Sequence, residues 1–286
     1  LNIAITGAAG FIGSKLGDYF EKKGHSVYRI VRSPNNKEKC FTCNIEQGIN
    51  LDANIDVIIH AASANPNSGA CIEDYIIGNI DTTRKVLRYV LKQGIKKIIY
   101  FGAVSSYGKI KGELNGSSYH IEPEEYGLTK FLAQKLISNS GISNRILIMP
   151  GVIGRNCNTN WILNTTRKLY KNEFVSIYNS EGMFNNIVSV DDVCKFVVSL
   201  CERGFEGSQT YLLSAKDVII VRDLIEKIKN KLGSLSKVEY DGKNDQGFYI
   251  DSKDAVAAGF LSKSIDELID EICDEVIRRE KGGEVI

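Results

Sequence analysis

Tyr126 and Lys130 stand four residues apart in a stretch, 124–138, whose pattern is helical. Residues i and i+4 share a helix face, so the phenol and the ammonium can point the same way. Unperturbed tyrosine has a pKa of ~10, too high for acid–base work near neutrality, and a neighbouring cation lowers it by favouring the phenolate. The pair suits proton transfer to or from a carbinol oxygen while hydride moves at the carbon. On its own Tyr-x-x-x-Lys is common, and the ordinary reading is an amphipathic helix with one aromatic. Its weight comes from a second motif far upstream.

That motif is Gly7-x-x-Gly10-x-x-Gly13, set between an apolar run (Ile3, Ala4, Ile5) and a helical pattern (Phe11, Ile12, Leu16, Tyr19, Phe20). The run reads as a buried strand. The glycines then permit a tight strand-to-helix turn, close backbone approach to a pyrophosphate, and close packing of helix on strand. Bare N–H groups and the positive end of the helix dipole would face the phosphates. With 26 glycines in the chain, spacing alone is weak; placement after an opening strand makes it a dinucleotide site.

The elements that must position these residues alternate. Residues 25–31 read as a second strand, 35–39 as a polar turn, 40–45 as a third strand and 56–60 as a fourth. A long helical pattern covers 72–92, with Val86, Leu87, Val90 and Leu91 on one face. A fifth strand spans 96–101, a Gly/Ser-rich loop runs to Gly116, and a sixth strand spans 145–149. This rhythm predicts a Rossmann-type α/β fold, a doubly wound parallel sheet with helices on both faces. Past Pro150 the elements shorten: helices at 160–170, 191–201, 221–231 and 264–279, and strands at 175–178, 187–190 and 210–213. The reading is an NAD(P)-binding domain over 1–150 and a smaller α/β substrate lobe over 151–286, with about 186–213 able to rejoin the first. Trp161 and Asn185, with Asn160 and Phe184, either line the substrate lobe or simply pack.

At the end of the second strand an acidic residue would bind the adenine ribose, whereas an Arg accommodates a 2′-phosphate. Here Arg32 and Ser33 follow, with Arg29 nearby and no acid until Glu38. NADP(H) is therefore preferred, with NAD(H) the other option.

Charge nearly cancels, 36 basic against 35 acidic residues, so nothing electrostatic points to nucleic acid or an anionic membrane. No apolar run approaches the ~20 residues of a membrane span, and the opening residues read as a strand rather than a signal peptide. Seven cysteines, mostly in apolar patterns, fit reduced thiols and a cytoplasmic protein. Cys40-x-x-Cys43 lacks a second pair, and His25, His60 and His120 are scattered, so no metal is expected. His60 reads as a packed or loop-orienting residue.

Taken together, the chain resembles the extended short-chain dehydrogenases/reductases, the NAD(P)-dependent epimerase/dehydratase group acting on nucleotide-sugars. The resemblance runs nearly end to end. It rests on Thr6-Gly7-Ala8-Ala9-Gly10-Phe11-Ile12-Gly13, Asp56 to Ala62, Asn79, Ser105-Ser106-Tyr107-Gly108 and Tyr126-Gly127-x-x-Lys130. Pro150 to Gly154, Val188 to Asp192, and Asp251-Ser252-Lys253 with Gly259-Phe260 complete it. It implies that Tyr126 is the general acid/base and that Lys130 positions the nicotinamide ribose. Ala9, Phe11 and Ile12 would belong to the cofactor loop, Asn44 and Ile45 would lie near the adenine, and Ala61 and Ala62 along the dinucleotide. Asn79 and Pro150 are further cofactor-side positions. A homodimer through helices 72–92 and 124–138 is also implied.

Two departures stand out. The family's usual Ser or Thr four residues before the Tyr-Gly of the loop is Ala103 here; Ser105 is the substitute, with Ser106 behind it on the substrate side. A diphosphate-binding Arg common in the family is replaced by Phe184-Asn185-Asn186. The leading expectation is an NADPH-dependent reductase of a keto-sugar, nucleotide-linked, with Tyr126 as general acid. The alternative is a nucleotide-sugar epimerase that retains NAD. A third reading, from another class, is a non-catalytic dinucleotide sensor, for which Ala103 speaks and the intact Tyr126 and Lys130 do not.

Overall fold

A computed structural model describes residues 1–33, 40–66, 69–157, 160–244 and 247–282. The polar turn read over 35–39 lies outside the described residues. The chain divides into two compact units. The first comprises Leu1–Gly108, Tyr119–Met149 and Val193–Tyr211, and the second Lys109–Ser118, Pro150–Asp192 and Leu212–Ile286.

The first unit is built on seven strands: β1 (Asn2–Thr6), β2 (Ser26–Val31), β3 (Cys40–Thr42), β4 (Val57–His60), β5 (Lys97–Ala103), β6 (Ser143–Met149) and β7 (Ser208–Leu212). Their order across the sheet is β7-β6-β5-β4-β1-β2-β3. Every pairing from β3 to β6 is parallel. Parallel strands are covered on both faces, which is why they read as unbroken apolar runs. Ile3, Ile5, Ile58, Ile59, Ile98 and Ile99 are wholly shielded from solvent, each burial stabilising the fold by about 1.5–3 kcal/mol. Crossovers α1 (Phe11–Lys22), α2 (Ile72–Tyr75), α3 (Thr82–Lys92) and α4 (Glu125–Ser138) supply the helical cover.

Between α2 and α3 the backbone forms a π-helical turn, Ile76–Asp81, inside what the sequence presents as one helix. Leu91, grouped by its spacing with the buried Val86, Leu87 and Val90, is exposed. The third strand ends at Thr42, and Ile45 opens a 3-10 turn.

Among the described residues the second unit holds four two-stranded pairs, each strand two or three residues long. Gly151–Ile153 runs parallel to Ile187–Ser189, and Val175–Ile177 to Val238–Tyr240. Gly112–Leu114 runs parallel to Phe248–Ile250, and Met183–Phe184 is antiparallel to Ile219–Ile220. Strands this short carry no periodicity, which is why only 175–178 and 187–190 stand out among them in the sequence. Helices Trp161–Tyr170, Val221–Leu232 and Ile265–Gly282 pack around these pairs.

Candidate functional site

β1 lies between β2 and β4, so the chain leaves β1 to one side and returns on the other. In open α/β sheets a ligand crevice forms at such a reversal, beyond the carboxyl ends of the strands. The register sets Thr6, at the end of β1, beside His60, at the end of β4. Gly7 follows with φ +68°, and a Cβ on it would come within 2.7 Å of Ala62 N and 2.8 Å of the Ala61 carbonyl carbon. A Cβ on Gly13 would run into the Gly7 carbonyl. Two of the three glycines are thus required by close packing of backbone on backbone.

Gly10 is different. Its N–H closes the turn onto Gly7 O at 2.9 Å, and with Ala9 it is exposed. It is also the N-cap of α1, extended at φ −76° and ψ 170°, with no side chain capping the first turn. A helix start left without a side-chain cap has N–H groups suited to an anion. A cradle that side chains would fill, beside an uncapped helix start, fits a dinucleotide diphosphate. Phe11 and Ile12 are half-buried behind it, and Ala61 and Ala62 form its facing wall.

The two arginines of the second strand part company. Arg32, just past β2, is exposed with Ser33. Arg29 is fully buried under α1, where it donates to Asp18 Oδ1 at 2.9 Å, to both Glu21 carboxylate oxygens at 3.2 and 3.0 Å, and to Ser14 O at 3.3 Å. Gly17 makes room for it, since a Cβ there would overlap the guanidinium. Arg29 therefore ties α1 to the sheet and offers nothing to a 2′-phosphate. Asn44 is exposed and Ile45 buried, at the start of the 3-10 turn after β3.

Tyr126 and Lys130 share a face of α4. Lys130 is buried, its Nζ 4.5 Å from the centroid of the Tyr100 ring and 3.5 Å from Ser63 Oγ. Burial pushes its pKa down to about 7. Tyr126 is half-buried and packs edge-on to Tyr75 at 5.7 Å. Burial raises its pKa to about 12, against a hydrogen bond with Ser63 that lowers it. From spacing alone, the lysine cation is expected to depress the phenol's pKa. In the protein alone, desolvation sets both shifts and disfavours the charged form of each partner.

A buried polar chain holds this pair from behind. Ala62 N donates to Thr6 Oγ1 at 3.3 Å, and Thr6 Oγ1 meets His60 Nδ1 at 2.8 Å. His60 Nε2 meets Thr83 Oγ1 at 2.9 Å, and Thr83 Oγ1 donates to Asn79 O at 2.6 Å. Because the Thr83 proton is committed to Asn79, His60 must donate from Nε2 and accept at Nδ1 from Thr6. That fixes one neutral tautomer, consistent with a pKa lowered to about 3 by burial and then by Lys130. The Asn79 amide, on the π turn, accepts from Ser63 Oγ at 2.7 Å and Ala64 N at 2.9 Å, and donates to Thr129 Oγ1 at 3.0 Å. Gly78 lets that turn sit against Ala64. The family resemblance singles out Asn79 and strand-end position singles out His60, but nothing marks Ser63, Thr83 or Thr129, whose hydroxyls carry no spacing signal.

Ser105 is exposed in the 3-10 turn Val104–Tyr107, its carbonyl pressed against Gly127, the neighbour of Tyr126. Ser106 is fully buried, its Oγ without a protein partner, and Ala103 is buried at the end of β5. The remaining candidates belong to the second unit. Pro150 is half-buried before Gly151–Ile153. Trp161 is half exposed and meets Phe184 edge-on at 5.4 Å. Asn185 is buried, with Nδ2 donating to Ile250 O at 2.9 Å and Oδ1 accepting from Ile250 N at 2.7 Å. Both ends of that amide are thus occupied by backbone. Among the described residues no cluster of His, Cys, Asp or Glu could hold a metal ion, and no helix is long and apolar enough to cross a membrane.

A doubly wound sheet with a glycine cradle at its switch point and a Tyr/Lys helix beside it defines a Rossmann-type protein of the extended short-chain dehydrogenase class. The chain belongs to the NAD dependent epimerase/dehydratase family, whose model matches residues 3–213. It is 21% identical over 246 residues to an N-acetyl-α-D-glucosaminyl-diphospho-ditrans,octacis-undecaprenol 4-epimerase of Escherichia coli O157:H7, covering 81% of this chain and 72% of that protein. It is 28% identical over 159 residues to the uncharacterized UDP-glucose epimerase YtcB of Bacillus subtilis (strain 168), covering 48% of this chain and 50% of that one. Among solved structures, MoeE5 in complex with UDP-glucuronic acid and NAD superposes with a TM-score of 0.83 at 19% identity, covering 99% and 100% of the two chains. A UDP-glucuronic acid 4-epimerase from Bacillus cereus in complex with NAD gives 0.80 at 19% identity, covering 97% and 99%.

Proposed function

We propose that the protein is an epimerase of a diphosphate-linked sugar and keeps NAD bound through its cycle. The observation carrying this reading is the Tyr126/Lys130 pair held beside the Gly7–Ala62 cradle in a chain whose named relatives are epimerases. The reductase reading leaned on a basic end to β2. With Arg29 committed to Asp18 and Glu21, Arg32 alone speaks for NADP(H), and the two structural neighbours described above are complexes with NAD.

Gly7, Ala9, Gly10, Gly13 and the first turn of α1 would hold the cofactor diphosphate, Ala61 and Ala62 would flank the dinucleotide, and Lys130 would take its nicotinamide ribose. NAD bound there would supply reversible hydride acceptance. Tyr126 takes the proton from the hydroxyl being oxidised and gives it back to the oxygen on the return. Ser105, the exposed hydroxyl of the β5 loop, is the one available to that oxygen in place of Ala103. The substrate class is kept at diphosphate-linked sugars, because Asn185 brings no charge to a diphosphate and the Escherichia coli relative is named for a lipid-linked one. A homodimer through α3 and α4 belongs to the same reading, since Leu91, Leu128 and Leu132 are exposed on those helices.

Mass spectrometry of the nucleotide released on denaturation, followed by incubation with UDP-glucose, UDP-N-acetylglucosamine and UDP-glucuronic acid, tests the proposal. Stoichiometric NAD and interconversion of C4 epimers without net cofactor turnover is the expected result. An empty site that takes up NADPH far better than NADH and consumes it with a keto-sugar would overturn it in favour of the reductase.

A further inference from the structure

Ser63 has no role in the resemblance, yet its hydroxyl sits where the three working side chains meet. Lys130 Nζ donates to Ser63 Oγ at 3.5 Å, and Ser63 Oγ donates to Asn79 Oδ1 at 2.7 Å. Ser63 also lies close enough to the Tyr126 phenol to hold its pKa down against burial, on the side of α4 where Lys130 meets the same hydroxyl. The hydroxyl expected near the reacting oxygen from β5 is missing at Ala103, and Ser106 is turned into the core.

A serine hydroxyl has one proton and two lone pairs. While Tyr126 is a phenol, its O–H can donate to Ser63 Oγ, whose own proton has two acceptors, Asn79 Oδ1 at 2.7 Å and, at the longer 3.0 Å, Ala64 O. When Tyr126 becomes a phenolate it needs a donor, and the Ser63 proton can turn to it. The turn is cheap because Asn79 Oδ1 keeps its second donor, Ala64 N at 2.9 Å, and the Ala64 carbonyl that also faces Ser63 belongs to a half-buried residue. Meanwhile the Lys130 donation polarises the same hydroxyl and strengthens what it offers to the phenolate.

We propose that Ser63 is a positioning residue that couples Lys130 to the Tyr126 oxygen, switching its hydroxyl proton from Asn79 to the phenolate as Tyr126 gives up its own. Within the epimerase reading on which this rests, Ser63 and not Ser105 sustains the charged state of Tyr126. Ser105 acts on the substrate oxygen. Both residues lie in the first unit with Tyr126, and neither needs a movement of the backbone to do this.

The test compares Ser63→Ala, Ser63→Thr and Ser105→Ala in the full chain with NAD bound. Ser63→Ala should lower kcat by about 10- to 100-fold, the loss of one hydrogen bond to a charged group, with KM and NAD affinity within about twofold. The limb on which its rate rises with ionisation of Tyr126 should move up by about one pH unit. Ser63→Thr, which keeps the hydroxyl, should recover most of the rate. Independently of any substrate, the tyrosinate absorbance difference between each variant and its Tyr126→Phe derivative reports ionisation of Tyr126 alone. Its midpoint should rise in Ser63→Ala and stay put in Ser105→Ala. An unchanged midpoint, with kcat within twofold of the parent at every pH, overturns the proposal. Should no diphosphate-linked sugar turn over, the epimerase reading fails while the titration still decides the role of Ser63.

Discussion

Asn79 Nδ2 donates to Thr129 Oγ1 at 3.0 Å, fastening the π-helical turn to α4 between the two residues of the Tyr126/Lys130 pair. Thr129 Oγ1 passes the bond on to Tyr126 O at 2.9 Å. The two side chains are one buried unit. Removing either leaves the other a buried polar group short of a partner, at about 1–3 kcal/mol. Asn79→Ala and Thr129→Val should each destabilise the fold by that amount, and the double variant by clearly less than the sum. Urea denaturation of the four proteins checks it; strict additivity would mean the bond contributes nothing.

His60 should give the protein an acid limb. Its folded pKa, about 3, lies below the 6.5 of the unfolded chain, so the unfolded state binds the extra proton between those values. The stabilisation is fully present above pH 6.5 and is lost as pH falls through about 3, at up to ~1.4 kcal/mol per pH unit. His60→Asn, which has no titrating group, should be less stable at pH 7 but flatter with pH. Parallel curves for the two proteins from pH 7 to pH 4 would mean that His60 does not stay neutral.

Lys130 predicts a slope on the other side of neutrality. With a folded pKa of about 7 against 10.5 unfolded, the unfolded chain holds more protons between the two. Stability conferred at this position therefore rises with pH from 7 towards 10 and is lost as pH falls through 7. Lys130→Met should remove that rise, and thermal melts of the cofactor-free proteins at pH 7 and pH 9 measure it. The Tyr126 shift has the opposite effect above pH 10, where the unfolded phenol ionises first, so the comparison belongs below that pH.

The same residues mark how far the sequence could be read. Ile3 to Ile5, the glycine spacing and the Tyr126–Lys130 interval are local, and local pattern was enough to place the sheet, the cradle and the helix face. The 72–92 pattern gave the helix but not its π turn, because that turn follows from Gly78 seating on Ala64 and from Asn79 bonding across to α4. Arg29 looked like a partner of Arg32, and only the packing of Gly17 above it reveals the ion pairs beneath α1. The direction of the Tyr126 and Lys130 shifts was likewise hidden, since desolvation is set by residues far away in the chain. Ser63 meets Asn79 and Lys130 across separations of 16 and 67 residues, and no periodicity connects such positions.

Gly7 and Gly10 should separate the structural and binding duties of the cradle. At Gly7 an alanine meets two obstacles, a left-handed φ of +68° and the Ala61–Ala62 backbone within 2.8 Å. Left-handed backbone alone costs roughly 1–2 kcal/mol for a residue with a Cβ, and the overlap adds to it, so Gly7→Ala should lose about 2–4 kcal/mol of stability. At Gly10 the backbone is extended and the nearest atom to a new Cβ is Gly7 O at 3.2 Å. Gly10→Ala gives up a favoured N-cap residue and should cost no more than about 1 kcal/mol. Its methyl would instead stand beside the open N–H groups of α1, so dinucleotide affinity should fall by at least about tenfold, ~1.4 kcal/mol. Denaturant titration and calorimetric NAD binding on both variants measure the two effects. A Gly10→Ala protein that binds NAD as well as the parent would remove the diphosphate from this turn, whatever happened at Gly7.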